Sequence, residues 1–343
     1  MQHKTFRTKY TKMKHFKRKT SGFKRKPVPW MYSWVGSIIA SALIKLAPTH
    51  RRLASLEIRN IQDYFKSDFI PKEKRRKISS FIAFLMTYKH AIGRLTTISK
   101  KARQDYYALM RQGCFALKEL PMLEKPAHPN SRKLPLLIVP GLNTPTMFFR
   151  EMVDYFSSKG YNVSVMALPE NGLSDVETAS KKLASEIERL KTVCNTSHIN
   201  IIGHCLGGIV AHYYLESEAR LKKTVSAKNL ISLGTGFMGA EGVEQLKRLW
   251  IPRNPDKPIP RVFDELIHWN LNVVRSSTMV AYHSLLTIWD FMVHFQNGLL
   301  EAAQGVTCSI NTQIIEDPAI DHLTIALNHR VFKQIEKTLS APV

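Results

Sequence analysis

Hydrophobic and polar positions follow one pattern over residues 134–236 and a different one over residues 51–120. In the later segment, short apolar runs alternate with stretches whose apolar positions recur every three or four residues. Continuously apolar short runs are typical of strands buried on both faces, and the longer spacing is typical of helices. The predicted strands are LPLLIVPGL, YNVSVMALP, INIIGH and KNLISLG. The predicted helices between and after them are TMFFREMVDYFSSKG, SDVETASKKLASEIERLKTV and IVAHYYLESEARL.

This alternation of strand and helix predicts an α/β fold with a mostly parallel sheet covered by helices. Parallel strands need crossover connections, and a helix between successive strands supplies them. Further along, TMVAYHSLLTIWD ends as a strand at Asp290, and VFKQIEKTL is expected to be the last helix. The α/β pattern therefore extends over residues 131–343.

Residues 51–120 form a basic helical region by the same criterion. In SSFIAFLMTYKHAIGRL the apolar residues recur at helical spacing, and Lys and Arg occupy the other face. Basic amphipathic helices can lie on anionic membranes, and they can equally present an ordinary solvated face, so both interpretations stay open. The Pro-rich polar stretch 121–133 is the predicted linker to the α/β domain.

An apolar stretch of 18 uncharged residues, 27–44, precedes these helices. It is at the short end for a membrane-spanning helix, and its two prolines and one glycine weaken that interpretation. A soluble helix, an interfacial membrane anchor with Trp30, Tyr32 and Trp34 at the boundary, and an export signal ending near Ala40-Ser41-Ala42 remain the alternatives.

The positive charge of the chain is concentrated in its first third. The net charge is +23, of which residues 1–26 and residues 27–130 carry +11 each, and residues 131–343 carry only +1. Residues 1–26 contain no acidic residue and no apolar period, so they are predicted to be a disordered basic arm.

An anionic membrane surface is the partner that the basic region 1–130 favours, and no specific nucleic acid is expected. The cytoplasm or a membrane surface is the favoured location, with export as the alternative.

Composition excludes several classes of protein. With 44% hydrophobic and 22% charged residues, the chain is neither wholly disordered nor a polytopic membrane protein. Four cysteines, without a CxxC pair, are too few and too scattered for a disulfide-rich fold or a zinc site. Neither a metal nor a cofactor is predicted. The cysteines are Cys114, Cys194, Cys205 and Cys308.

The candidate chemistry lies at Gly203-His204-Cys205-Leu206-Gly207-Gly208, between a predicted strand and a predicted helix. A nucleophile on a sharp strand-to-helix turn needs neighbours without bulk two positions away, and Gly203 and Gly207 satisfy this need. The helix that follows would direct its N-terminal amides at a developing oxyanion. Cys205 is therefore the predicted nucleophile, and a Gly-rich packing turn with a buried cysteine is the alternative.

From Leu134 to Leu339 the sequence resembles the α/β-hydrolase superfamily, and within it the lipase-like members. Those proteins carry a His-Gly oxyanion turn where this chain has Val139-Pro140-Gly141-Leu142, so Pro140 departs from the family pattern. The resemblance implies an oxyanion hole formed by the amides of Leu142 and Leu206. The stretch Leu233–Gly239 is close to the Leu-Gly-Thr-Pro turn of the family.

The same resemblance implies an acid and then a histidine after the nucleophile. Asp290 follows a predicted strand, as the family acid does, and His322 precedes the final helix, as the family base does. Asp321 stands where the family has glycine, and Phe291 and His294 also depart from its pattern. We predict Asp290 as the orienting acid and His322 as the base. The alternatives are His294 and His329 as base, and Asp264, Asp317 and Asp321 as acid.

Residues 240–280 fall where many such hydrolases insert a cap. Their apolar residues could cover an acyl-binding cleft or simply pack on the core, and both interpretations stay open. They include Leu249, Trp250, Ile251, Phe263 and Trp269.

The sequence thus favours an acyl hydrolase of lipase or esterase type, acting on a small-molecule or lipid ester through Cys205, His322 and Asp290. One alternative is acyl transfer from CoA thioesters, because polyhydroxyalkanoate synthases share the cysteine elbow; dienelactone hydrolases also carry a nearly identical hexapeptide. The other is a non-catalytic, membrane-associated protein that retains a hydrolase scaffold.

Overall fold

The computed structural model describes residues 48–70, 75, 98–100, 102, 104, 123–124, 131–222, 226–274 and 280–340. The predicted basic arm at 1–26 and the apolar stretch at 27–44 lie outside these residues. So do most of the basic helices predicted between 71 and 120, together with Cys114.

The main sheet contains seven strands, six of which run parallel, as predicted. The described strands are β1 (Leu123–Glu124), β2 (Leu136–Val139), β3 (Val163–Val165), β4 (Ile199–His204), β5 (Ala227–Leu233), β6 (Val273–Val274), β7 (Ala281–Thr287), β8 (Glu301–Ala302) and β9 (Ser309–Ile315). The order in the main sheet is β1-β3-β2-β4-β5-β7-β9, and only β1 is antiparallel to its neighbour. A small parallel pair, β6 with β8, lies apart from it.

Helices connect the strands and cover both faces of the sheet. The described α-helices are α1 (Pro48–Lys66), α2 (Arg150–Ser158), α3 (Val176–Val193), α4 (Leu206–Lys222), α5 (Val243–Arg253), α6 (Arg261–His268) and α7 (His329–Ser340). Short 3₁₀ helices lie at Thr146–Phe149, Pro169–Gly172, Phe295–Gly298 and Thr324–Ala326.

The local capping rules account for how these helices begin and end. Asp175 begins α3, because its carboxylate accepts a 2.7 Å hydrogen bond from the amide of Thr178. The helix predicted over 146–160 divides into a 3₁₀ turn and α2, and it ends before Gly160, whose φ is +82°.

Two apolar clusters sandwich the sheet. One contains residues of α3, α4, α5 and α6 against one face, and the other contains residues of α2 and α7 against the opposite face. Strand β4 is buried along its whole length, which explains why its three isoleucines do not alternate with exposed polar residues. The predicted fold class is confirmed.

The N-terminal region packs on the α/β domain at two places. Helix α1 buries Ile61 and Tyr64 in a third apolar cluster with residues of β7, β9 and the loop after β7. Strand β1 lies within the predicted linker 121–133 and pairs with β3. Its Glu124 accepts a 2.6 Å hydrogen bond from Ser164 and also forms an ion pair with Arg189. Because these contacts join distant segments, the Pro-rich composition of residues 121–133 does not reveal them.

None of the helices in the described part of the chain combines the length and the apolar character needed to cross a membrane.

Candidate active site

Three loops at one edge of the sheet carry the residues that the sequence singled out. Cys205 directly follows β4, Asp290 follows β7, and His322 follows β9. Because these strands are parallel, their carboxyl ends meet at the same edge, which is where open α/β sheets place their sites. The site is thus assembled from three segments that are spread over more than a hundred residues of the chain.

Cys205 lies at a sharp turn between β4 and α4, with a φ of +52°. This left-handed conformation costs energy for any residue with a side chain and is typical of functional sites. Two glycines make the turn sterically feasible. A Cβ on Gly203 would lie 2.5 Å from the Cα of Gly208, and one on Gly207 would lie 2.0 Å from the carbonyl oxygen of Val139.

The turn after β5 holds the elbow from the side. The hydroxyl of Thr235 donates a 3.1 Å hydrogen bond to the carbonyl of Cys205, and it packs against Gly208, where a Cβ would lie 2.1 Å away. The amide of Cys205 donates to the carbonyl of Leu233 at 3.0 Å. The amide and the carbonyl of Cys205 are therefore both hydrogen-bonded to β5 or to the turn that follows it.

Asp290 and His322 form a buried hydrogen-bonded pair. The Nδ1 of His322 lies 2.8 Å from the Oδ2 of Asp290, and each residue is only 3% exposed. The other carboxylate oxygen, Oδ1, accepts hydrogen bonds from the amides of Met292 at 2.7 Å and Val293 at 2.8 Å. Hydrogen bonds to both carboxylate oxygens thus fix the orientation of Asp290 toward the imidazole.

Cys205 lies close enough to His322 to affect the pKa of the imidazole. Burial lowers the pKa of His322, but the charges of Asp290 and Cys205 and the hydrogen bonds to both raise it more. The net result is a pKa well above the usual value of 6.5. The three side chains therefore form a connected chain that can take up, hold and return a proton.

The sequence of residues 135–257 matches the family profile described as the alpha/beta hydrolase fold. The chain carries an α/β-hydrolase fold. A comparison with curated proteins returned no match.

Solved structures similar to this α/β-hydrolase fold include the mature form of the lipase BlEst2 from Bacillus licheniformis. The identity is 16% and the TM-score 0.48, over 64% of this chain and 98% of that one. Naproxen esterase (carboxylesterase NP) from Bacillus subtilis is 13% identical with a TM-score of 0.39, over 70% and 97% of the two chains. Lipase B from Aspergillus fumigatus is 13% identical with a TM-score of 0.47, over 84% and 85%. These similarities do not bear on the activity of this chain.

Two backbone amides of the α/β-hydrolase domain belong to segments that adjoin Cys205. Leu206 is the first residue of α4, so its amide has no acceptor within the helix and lies at the positive end of the helix dipole. Leu142 follows Gly141, where a Cβ would lie 3.0 Å from the Cβ of Cys205, so the loop after β2 runs directly past the cysteine. Both amides are donors that an anion beside Cys205 could use.

His204 precedes the predicted nucleophile in the sequence, but its ring contacts the loop that carries His322. Its Nε2 lies 2.9 Å from the backbone carbonyl of His322, and its ring is fully buried. Burial, with the nearby charge of His322, lowers the pKa of His204 to about 3, so its ring is neutral. Because a carbonyl can only accept, Nε2 carries the proton and donates it to this bond. His204 thereby anchors the loop that carries His322.

The alternative acids and bases have other partners. His294 pairs with Asp63 at 3.1 Å and His329 with Glu151 at 3.0 Å. Asp264 pairs with Lys247, Asp317 with Arg330, and Asp321 accepts from the amides of Leu323 and Thr324.

The apolar residues expected between 240 and 280 are mostly packed inward. Trp250 and Phe263 are buried in the core cluster next to α4, and Trp269 packs against that cluster from a partly buried position. Ile251, in contrast, is half exposed. The side chain of Leu249 lies outside the described part of the structure.

Sequence reasoning missed two residues that position the site. Thr235 was visible within the Leu233–Gly239 turn, but nothing in the sequence pointed to its bond with Cys205. His204 was visible within the elbow, and its place at the end of a strand predicted to be buried could have marked it as a buried hydrogen-bonding residue. Within the described residues, no group of three or more His, Cys, Asp or Glu side chains is arranged to hold a metal ion.

Proposed function

We propose that this protein is an acyl hydrolase that cleaves carboxylic esters through a Cys205–His322–Asp290 triad. One observation carries the proposal. Cys205 lies at a left-handed elbow beside the buried His322, and Nδ1 of His322 lies 2.8 Å from Oδ2 of Asp290. This is the arrangement that nucleophilic acyl chemistry requires: a nucleophile, a base within hydrogen-bond reach, and a third group that orients the base.

In the first half of the reaction, the thiolate of Cys205, whose proton His322 already holds, attacks the ester carbonyl carbon. The carbonyl oxygen becomes an oxyanion, to which the amides of Leu142 and Leu206 donate hydrogen bonds. Collapse of this tetrahedral intermediate breaks the carbon–oxygen bond of the ester. The protonated His322 gives its proton to the leaving alkoxide, so an alcohol departs and a thioester remains on Cys205.

In the second half, water attacks the thioester while His322 takes one of its protons. The second tetrahedral intermediate collapses with cleavage of the carbon–sulfur bond, and the sulfur recovers a proton from His322. The products are a carboxylic acid and the free enzyme. Asp290 stabilises the imidazolium in both halves and keeps Nε2 of His322 directed toward the reacting atoms.

The cysteine itself favours acyl transfer as a second candidate function. A thiol nucleophile gives a thioester intermediate, and the thiol of Cys205 could form it by exchange with an acyl-CoA thioester, which releases the free thiol of CoA. An alcohol or amine acceptor that replaced water in the second half would make the enzyme a transferase with the same residues. The small net charge of residues 131–343 suits a neutral, apolar acyl chain in either case.

Replacing Cys205 separates these functions. The wild type and Cys205→Ala are incubated with p-nitrophenyl esters of increasing chain length and with acyl-CoA thioesters. We expect ester turnover to fall by at least about 10³-fold in the variant, as loss of a nucleophile does elsewhere. Turnover with CoA thioesters alone would favour the transferase.

Cys194→Ala and Cys308→Ala are the matched controls, because burial raises the pKa of both thiols and neither adjoins the site. Ester turnover that survives Cys205→Ala would contradict the proposed nucleophile. No turnover of any ester or thioester by the wild type would instead support the non-catalytic alternative.

We also propose that the basic N-terminal region docks the enzyme on an anionic membrane surface. The support is compositional, because residues 1–130 carry +22 of the net charge of +23. Since α1 packs on the α/β-hydrolase domain, the informative truncation removes residues 1–47 and keeps that helix. We expect flotation with phosphatidylserine vesicles for the full chain and reduced flotation for the truncated chain. Equal flotation of both would contradict this role for residues 1–47.

A further inference from the structure

Helix α1 precedes the α/β-hydrolase domain, yet it contacts the loop that carries the acid of the proposed triad. This acid loop follows β7 and spans residues 290–295. Its last residue, Phe295, is also the first residue of the 3₁₀ helix Phe295–Gly298. Asn60 of α1 is fully buried against it, at 0% exposure. A buried amide side chain must satisfy its polar atoms inside the protein, so its partners identify what it holds.

All the described hydrogen bonds of the Asn60 side chain go to the backbone of the acid loop. Its Nδ2 lies 3.3 Å from the carbonyl oxygen of Asp290 and 3.3 Å from that of Val293, and donates to both. Its Oδ1 accepts a 3.1 Å hydrogen bond from the amide of Phe295. One side chain thus binds the first, fourth and sixth residues of the loop.

The path of this loop sets the orientation of the carboxylate. The Oδ1 of Asp290 is held by the amides of Met292 and Val293, and this leaves Oδ2 for His322. A loop that relaxed would carry those two amides and the carboxylate away from the imidazole together. The bonds of Asn60 to the carbonyls of Asp290 and Val293 oppose that movement.

We propose that Asn60 is a positioning residue of the triad, which holds Asp290 in line with His322 from a helix outside the α/β-hydrolase domain. The inference rests on the proposed function, since it concerns the same triad. Asn60 touches neither the cysteine nor the histidine, and it acts only through the loop.

Neighbouring residues of α1 keep Asn60 in register with the loop. Ile61 is fully buried, and the ring of Tyr64 packs edge-on against Phe295 at a centroid distance of 5.7 Å. Asp63 pairs with His294 at 3.1 Å. The helix is therefore attached by apolar packing that is separate from the amide bonds. Packing and positioning can for this reason be removed independently.

The test compares Asn60→Leu, which keeps the size of the side chain and removes its hydrogen bonds, with Ile61→Ala, which removes packing alone. Both variants are made in the full chain, and thermal unfolding ranks their stability. We expect kcat of Asn60→Leu to fall by about 10- to 100-fold with KM nearly unchanged, the scale that small misplacements produce. At an equal loss of stability, Ile61→Ala is expected to keep kcat within about threefold.

Alkylation of Cys205 by iodoacetamide gives a readout that does not need turnover. The titratable groups that face His322 are Asp290, Cys205 and His204. A displaced Asp290 would stabilise the imidazolium less, so the reactive thiolate would form at higher pH. We expect the midpoint of the alkylation profile to rise by about 1 on the pH scale in Asn60→Leu and to stay in place in Ile61→Ala.

A double-mutant cycle with Asp290→Ala completes the test. If Asn60 acts through Asp290, then Asn60→Leu should change kcat and the alkylation midpoint little once Asp290 is absent. Full additivity, or an unmoved midpoint in Asn60→Leu, would overturn the inference. Should Asn60→Leu fail to fold, Asn60→Ala provides the same comparison with a smaller side chain.

The two proposals fail in different ways. An enzyme without ester turnover, whose Cys205 still shows an alkylation midpoint that depends on Asn60, would contradict the hydrolase and support the positioning role. Ester turnover that depends on Cys205 but is indifferent to Asn60 would support the hydrolase and contradict the positioning role.

Discussion

At the scale of single residues, the candidate site depends on positions where no side chain fits. Gly203 and Gly207 allow the elbow to approach α4 and β2, and Gly234 lies against the hydrogen-bonded pair of Asp290 and His322. A Cβ on Gly234 would be 3.1 Å from Oδ2 of Asp290 and 3.2 Å from Nδ1 of His322, and its φ of +56° also favours glycine. The absence of a side chain there leaves room for the hydrogen bond between the two residues.

Gly234→Ala is therefore expected to reduce kcat by about 10-fold, because the added methyl would displace the pair by a few tenths of an ångström. It should also cost about 1 kcal/mol of stability from the left-handed backbone. Esterase kinetics and urea unfolding measure the two effects.

Gly305→Ala is the control for this variant, since its φ is +80° and no atom lies within 4 Å of the added Cβ. It should lose similar stability and keep its activity. Equal kinetic losses in the two variants would show that backbone strain alone is responsible.

At the scale of elements, the turn after β5 and the elbow after β4 behave as one unit. Adjacent parallel strands bring the two turns together, and the hydroxyl of Thr235 binds the carbonyl of Cys205 across them. The strained conformation of Cys205 is thus supported by a neighbouring element as well as by its own glycines.

Thr235→Val, which removes the hydroxyl and keeps the shape, should cost about 1 kcal/mol of stability and lower kcat as well. Ser232→Ala serves as the control, because Ser232 lies on β5, just before this turn, and donates to the carbonyl of His283, away from the elbow. A similar loss of stability without a kinetic effect is expected there. A kinetic effect of Ser232→Ala equal to that of Thr235→Val would refute the specific link to Cys205.

Features formed by consecutive residues could be predicted from the sequence, whereas contacts between distant segments could not. Strand β4, the elbow and α4 are consecutive, so their apolar run and glycines predicted them correctly. The family order of nucleophile, acid and base predicted that Cys205, Asp290 and His322 would come together at one edge of the sheet. The bonds made by Asn60, His204 and Thr235 join residues 30 to 235 positions apart. Neither periodicity nor local motif encodes such pairs.

At the scale of the whole molecule, several buried neutral histidines make the fold sensitive to acid. Burial lowers the pKa of His204 and His212 to about 3 and that of His283 to about 4. As the pH falls through about 6.5, the unfolded chain takes up protons at these positions and the folded chain does not. Protons therefore favour the unfolded state, and stability is lost between about pH 6.5 and pH 4.

His212→Leu is expected to reduce this pH dependence by about 1.4 kcal/mol per pH unit, the value for one proton. Both ring nitrogens of His212 are buried without a hydrogen bond among the described residues, and the ring packs against Phe237 and Tyr282, so an apolar replacement fits. Urea unfolding at a series of pH values measures the slope. His268→Leu, at an exposed position on α6, is the control, and an equal change in both slopes would contradict the prediction.

The two-residue strand β1 has a consequence for how the protein can be shortened. By pairing with β3, it occupies backbone donors and acceptors that would otherwise form an open border of the sheet. An unprotected border of this kind recruits strands from other molecules and leads to aggregation. A fragment cut at residue 131, where composition places the start of the α/β domain, would lose this protection together with α1. Self-association of such a fragment would then reflect an uncovered sheet rather than a missing enzymatic function.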